Sequence, residues 1–186
     1  MFRATVELLR ETEQPLLDVG GGVGLLPFYL RERGFAAPIT VWEIDARKVR
    51  RARAAAKTGD GSITFLEQDV RGELPPFSGN VALLDVLHYL DPARQEALLR
   101  TLAAFVAPGG MLLIRDCPRD GSPRFWMTYA GEIFAQAVAW NIGVPLHFPT
   151  RESINAVFDA RKFAAEEKPM SGGGPFNNRL FIYRRR

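Results

Sequence analysis

An α/β fold built on a doubly wound, mostly parallel seven-stranded sheet with an antiparallel C-terminal strand pair is predicted by three features of the sequence. Short apolar runs alternate with helical patterns from Leu16 to Arg115. Val81-Ala82-Leu83-Leu84 is apolar on consecutive positions, as a parallel strand covered on both faces must be. The last two extended runs flank Gly172-Gly173-Gly174-Pro175 with no helix between them, so they pair antiparallel and close one edge.

The elements follow in order. Phe2 to Arg10 has the spacing of a short amphipathic helix, and Leu16 to Val19 is the first strand. Val23 to Arg33 places Leu26, Tyr29, Leu30 and Arg33 along one side and stops at Gly34. Ile39 to Ile44 is the second strand. Asp45 caps the next helix, which runs to about Lys57, before Gly59. Ile63 to Leu66 is the third strand and Val81 to Leu84 the fourth. Asp91 caps a helix through Val106 with Pro92 at its first position, where the missing N–H costs nothing. Pro108-Gly109-Gly110 turns the chain into Met111 to Arg115. Phe125 to about Ala139 is an aromatic-laden helix, and Thr150 caps another through about Phe158. Phe163 to Met170 and Arg179 to Tyr183 complete the sheet. With neither an internal repeat nor a linker composition, residues 1–186 are expected to form one domain.

Composition sets the bounds. At 186 residues and 47% hydrophobic content the chain can bury a sizeable core, and a net charge of +3 is modest. The basic excess gathers at Arg47 to Lys57 and Arg184-Arg185-Arg186, which reads as solvated surface, with a weak basic patch for an anionic surface or partner as the alternative. A single cysteine, Cys117, excludes an internal disulfide and fits a reducing compartment. No signal-peptide pattern opens the chain and no apolar stretch approaches a membrane span, so a cytoplasmic location is expected.

The chemistry-bearing stretch is LLDVGGGVG. Gly20, Gly21, Gly22 and Gly24 leave the first strand and enter the first helix, the crevice where open parallel sheets bind ligands. Glycines there let the backbone turn tightly and touch a ligand. The spacing G-x-G-x-G lacks the small residue at position 25 that a dinucleotide fingerprint requires, because Leu25 stands there. Glu43 ends the second strand, where an acid can accept from both hydroxyls of a ribose. Asp69 follows the third strand, where a carboxylate can accept from a purine amine. Asp18 can pair with a cationic amine or hold the loop amides. Each acid alone reads equally well as solvated; around one crevice they describe a nucleoside pocket.

In this order and spacing, LLDVGGGVG, VWEID, LEQDV, LLDVLHYL and PGGMLLIRD resemble the Rossmann-like S-adenosylmethionine-dependent methyltransferases, from Leu16 to about Asp116. The resemblance implies S-adenosyl-L-methionine as cofactor, with S-adenosyl-L-homocysteine as product. It implies a methionine moiety on Gly20 to Gly24 near Asp18, and a ribose on Glu43 beside Ile44. Adenine falls at Asp69 with the amide of Val70, and Asp85 and Val86 border the methyl group. The final strand pair fits the family's reversed seventh strand. Many members begin strand four with Asp where this chain has Asn80, a position expected to lie far from the crevice.

Methyl transfer from a sulfonium is an in-line displacement, so alignment and exclusion of water supply much of the rate. A base is needed where the nucleophile carries a proton of high pKa. His88, just beyond strand four, is the candidate, and packing in the crevice wall is its structural alternative. His147 is expected to be structural. Asp116, ending strand five, can orient a substrate donor or hold the following loop. The sequence after strand four, Asp85 to Tyr89, lacks the N/D-P-P-F/Y of the amino-methylating nucleic-acid enzymes, and Cys117 lacks the Pro-Cys partner of RNA cytosine-5 enzymes. No metal site is expected. Phe125, Trp126, Met127, Tyr129, Phe134, Trp140 and Phe148 are expected either as core or as an apolar mouth. The expected acceptor is a small, apolar or lipid-like molecule, free or presented by a carrier protein or membrane surface. A nucleic-acid methyltransferase and a non-catalytic cofactor-binding partner subunit are the alternatives.

Overall fold

The computed structural model describes residues 2–10, 12–57, 62–138, 145–170 and 174–186. Gly59, Ala139, Trp140, Gly172 and Gly173, all invoked above, lie outside them. Seven strands form one sheet in the order β3-β2-β1-β4-β5-β7-β6. These are β1 (Leu16–Val19), β2 (Ile39–Glu43), β3 (Ile63–Glu67), β4 (Asn80–Leu84), β5 (Met111–Asp116), β6 (Phe163–Pro169) and β7 (Arg179–Arg185). The first five run parallel, while β7 pairs antiparallel with both β5 and β6, as predicted.

The period of two along each strand sorts the core onto two faces. Leu16, Val41, Ala82, Leu113 and Ile182 face α1 (Phe2–Leu9), α2 (Leu25–Glu32) and α3 (Ala46–Ala56). Their neighbours Leu17, Trp42, Val81, Leu112 and Phe181 face α4 (Pro92–Phe105) and α6 (Arg151–Asn155). One further helix, α5 (Pro123–Val138), follows β5.

Several boundaries differ from the sequence reading, each for a local reason. The helix expected from Val23 begins at Leu25 because Gly24, at φ 86°, is left-handed and acts as its N-cap. Asp45 and Asp91 cap α3 and α4 as expected, accepting from the amides of Arg47 and Arg94. Thr150 and Ser153 form a reciprocal capping box on α6. That helix ends at Asn155 rather than Phe158, because the Val157 and Phe158 amides bond three residues back instead of four. Asn155 is drawn to the sheet by the Tyr183 hydroxyl, 2.6 Å away. Asn80 is fully buried at the opposite end from the crevice, accepting from the Met111 amide at 3.0 Å and donating to the Gln14 carbonyl at 3.2 Å. It ties β5 to the entry of β1, far from the crevice as expected.

Candidate active site

Strand order reverses between β1 and β4, and a crevice of about 530 Å³ opens there, a volume suited to a small ligand. Of the residues assigned to the cofactor, Gly20, Glu43, Ile44, Asp69, Val70, Asp85 and Val86 line it, together with Trp42, Tyr89 and Leu90. Asp18, Gly21, Gly22 and Gly24 form or support the loop behind this wall.

At Gly20 and Gly21 the loop has no room for a side chain. Gly20 sits at φ 72°, and a Cβ there would come within 2.3 Å of Val86 Cγ2. A Cβ on Gly21 would fall 2.3 Å from Asp18 Oδ2. Glu43, ending β2, is buried and binds two backbone donors. Its Oε2 accepts from the Gly22 amide at 3.0 Å and its Oε1 from the Asp45 amide at 2.8 Å. One carboxylate therefore joins the glycine loop to the start of α3. Asp69 is held by Arg71 through Nε and Nη2, which keeps its carboxyl below the usual carboxylate range.

Asp18 lies beneath Gly21, buried, with Oδ2 lacking any hydrogen-bond partner. Burial, and then the like charge of Glu43, push its pKa up to about 7. Between pH 4 and 7 the native chain thus keeps a proton that the unfolded chain has released. Stability should fall as pH rises across that window, by on the order of 4 kcal/mol from this group. Chemical denaturation of the parent and Asp18→Asn at pH 4 and pH 7.5 checks this: the variant should lose much less. Equal losses would contradict the assignment.

Around His88 the structure brings together residues far apart in sequence. His88 follows β4 in a short 3₁₀ turn, 3% exposed. Its Nδ1 lies 3.0 Å from Asp116 Oδ1. Asp116 also accepts from the His88 amide at 3.3 Å and the Cys117 amide at 2.8 Å, so it both holds the loop and orients the imidazole. Donation from Nδ1 leaves the neutral ring with its lone pair on Nε2, and Nε2 has no hydrogen-bond partner. Burial pulls the imidazole pKa down, but the Asp116, Glu132 and Asp85 carboxylates outweigh it and hold it above the ordinary value. Phe148 stacks on the ring at 5.1 Å and 10°.

Three residues of this cluster were not singled out in the sequence. Glu132, on α5, lies 3.9 Å from His88 Nε2 and accepts from the Tyr89 hydroxyl at 3.4 Å. Tyr89 lines the crevice, so a polar chain runs from the crevice wall through Glu132 to His88 and Asp116. Arg115 pairs with Asp85, which at φ 59° is the one non-glycine residue at positive φ among the described residues. Left-handed backbone at such a residue is strained and is tolerated where the surroundings impose it. Only the abrupt change from apolar strand to polar turn at Asp85 signalled anything there.

Buried polar atoms without partners mark the same region. Among the described residues, four of the five belong to Asp18, Trp42, His88 and Arg115, all at the carboxyl ends of strands or just beyond; the fifth, on Gln14, lies at the other end. Native interiors leave few such atoms, and their concentration points to a ligand. A cation on the glycine loop would compensate the Asp18 carboxylate beneath it, and the strand-end acids suit a nucleoside, so these residues fit S-adenosylmethionine. Cys117 is buried, with burial raising its thiol pKa to about 11, as an inert thiol requires. His147 donates its backbone N–H to the His88 carbonyl, tying its loop to the turn after β4. The aromatic set divides: Phe125 and Phe148 are buried, whereas Trp126, Met127 and Phe134 face solvent.

The family model described as a methyltransferase domain matches residues 16–110, and the chain belongs to this family of class I S-adenosylmethionine-dependent methyltransferases. Solved structures share its fold. A magnesium protoporphyrin IX methyltransferase from Synechocystis, solved with bound S-adenosylhomocysteine, is 20% identical with a TM-score of 0.76, over 100% of this chain and 82% of that one. An O-methyltransferase family 2 protein from Planctomyces limnophilus, in complex with apigenin, is 17% identical with a TM-score of 0.72, over 93% of this chain but only 51% of its own. The N-methyltransferase NodS from Bradyrhizobium japonicum is 16% identical with a TM-score of 0.70, over 98% and 84%. No curated protein matches the sequence.

Proposed function

We propose that this chain methylates an oxygen or nitrogen of a small, largely apolar acceptor, with His88 taking the proton. The observation that carries the reading is the buried His88–Asp116 pair beside the crevice wall, with Nε2 unpartnered beneath an aromatic-rich helix. When bound, S-adenosylmethionine supplies a sulfonium methyl: the acceptor's electron pair forms the new C–O or C–N bond while the C–S pair leaves with sulfur as a thioether. The chain's residues align the acceptor and dispose of its proton. Asp116 fixes the tautomer, Nε2 receives the proton, and Glu132 at 3.9 Å stabilises the imidazolium. The acceptor reaches Nε2 past Tyr89, alongside Glu132.

Glu43 would hold the ribose diol, Asp69 and the Val70 amide would meet adenine, and the Gly20–Gly24 loop over Asp18 would receive the methionine moiety. Asp85 and Val86, in the crevice wall, would border the methyl group. Two of the similar structures are of a porphyrin methyltransferase and of an enzyme in complex with a flavonoid. Both molecules are flat and largely apolar, and the aromatics of α5 suit an acceptor of that kind. A cytoplasmic setting agrees with the lone buried thiol, and among the described residues no helix is long and apolar enough to cross a membrane.

The test is transfer of a radiolabelled methyl group into a cell extract separated into small molecules with lipid, protein and nucleic acid. Label should enter the first fraction, with little loss between low and moderate salt, since apolar burial is insensitive to it. Label in RNA or DNA, falling steeply with salt as phosphate contacts demand, would overturn the reading.

A further inference from the structure

Helix α5 has an inner side packed on the molecule and an apolar outer side. Its inner side carries Phe125, Thr128 and Glu132 against the His88 cluster. Its outer side carries Trp126, Met127, Ile133 and Phe134, which are 59%, 52%, 45% and 70% exposed. At 100° per residue these four fall within an arc of roughly 120° opposite Glu132. Side chains of this size leave on the order of 500 Å² of apolar surface there, near the top of what a monomeric protein shows without a use for it.

Charge selects the occupant. Arg119, in the loop before α5, and Arg124, in its first turn, are exposed, and among the described residues neither makes an ion pair. The outer side carries no carboxylate. Glu132, the helix's one acid, turns inward to Tyr89, and Asp120 is engaged by Asn177 and the Ser122 amide. A second copy docked here would add arginines with no acid to receive them. An anionic lipid surface supplies the missing charge, and a helix with Trp and Phe on one side and arginines near its N-terminus suits the headgroup boundary.

We infer that the outer side of α5 docks the chain on an anionic membrane surface. The inference takes from the proposed function that the acceptor is apolar: docking through α5, which covers His88, would hold the site close to an acceptor dissolved in lipid.

Cosedimentation with phosphatidylcholine vesicles, with and without phosphatidylglycerol, tests this. Phosphatidylglycerol should strengthen binding at least tenfold. Phe134→Asp should weaken it at least tenfold, and Arg119→Glu with Arg124→Glu should abolish the preference for anionic vesicles. Adenosylhomocysteine affinity should be unchanged in these surface variants, which shows that they fold. No binding at any phosphatidylglycerol content, or binding indifferent to Phe134→Asp, would overturn the inference. So would a dimer in vesicle-free sedimentation that Phe134→Asp dissolves, which would give the face to a second copy. Labelled lipid in the extract experiment without vesicle binding would sink the docking alone; vesicle binding with label in nucleic acid would sink the acceptor reading alone.

Discussion

Replacing His88 by alanine should lower the methyl-transfer rate by about 10² or more while leaving adenosylhomocysteine affinity intact. The imidazole is the one group of the cluster whose free lone pair is oriented by a partner, through Nδ1 and Asp116 at 3.0 Å. The base works only when neutral, and the surrounding carboxylates hold it above its ordinary pKa. The parent rate should therefore climb with pH through a midpoint above the usual histidine value of about 6.5. His88→Ala should flatten that profile. Asp116→Asn should lower both rate and midpoint, because it removes the strongest carboxylate neighbour and the tautomer lock. A loss of under about tenfold at every pH would reduce His88 to a packing residue and leave alignment as the source of the rate.

Glu43→Ala should weaken adenosylhomocysteine binding by roughly 1.5 to 3 kcal/mol, the cost of a charge-assisted bidentate contact with the ribose diol. The structure adds a second consequence. The same carboxylate holds the Gly22 and Asp45 amides, so its loss also frees the loop and the start of α3, at about 1 kcal/mol of stability per hydrogen bond. Glu43→Gln keeps one acceptor oxygen and should fall between. Calorimetry on the three proteins separates the roles: unchanged affinity alongside lowered stability would leave Glu43 as a tie between loop and helix.

What was legible in the sequence is what short-range pattern determines. The glycine loop, the strand-end acids and the caps of α3, α4 and α6 each depend on residues a few positions apart, and all fall where expected. The reversed strand pair was legible because two extended runs with no helix between them can only fold back. The Asp116–His88 pairing was not, because 28 residues separate two side chains whose directions depend on the packing of β4 against β5. Glu132 escaped for a related reason: an acid in the middle of a helix reads as solvated until the helix is placed over His88. Asp69 was read as an acceptor for a purine amine; the Arg71 guanidinium that also binds it, two residues on, was not foreseen. The aromatics of α5 carry two patterns at once, one packed inward and one exposed, and periodicity alone does not assign a side to either.

The most direct test of the cofactor site is a crystal structure of the chain with adenosylhomocysteine. The nucleoside should lie in the crevice between β1, β2 and β4, with both ribose hydroxyls within hydrogen-bond distance of Glu43. The amino-acid end should rest on the Gly20–Gly24 loop over Asp18, and the sulfur should face the Tyr89–Glu132–His88 side. A nucleoside bound elsewhere, with Glu43 still holding only the Gly22 and Asp45 amides, would contradict the account.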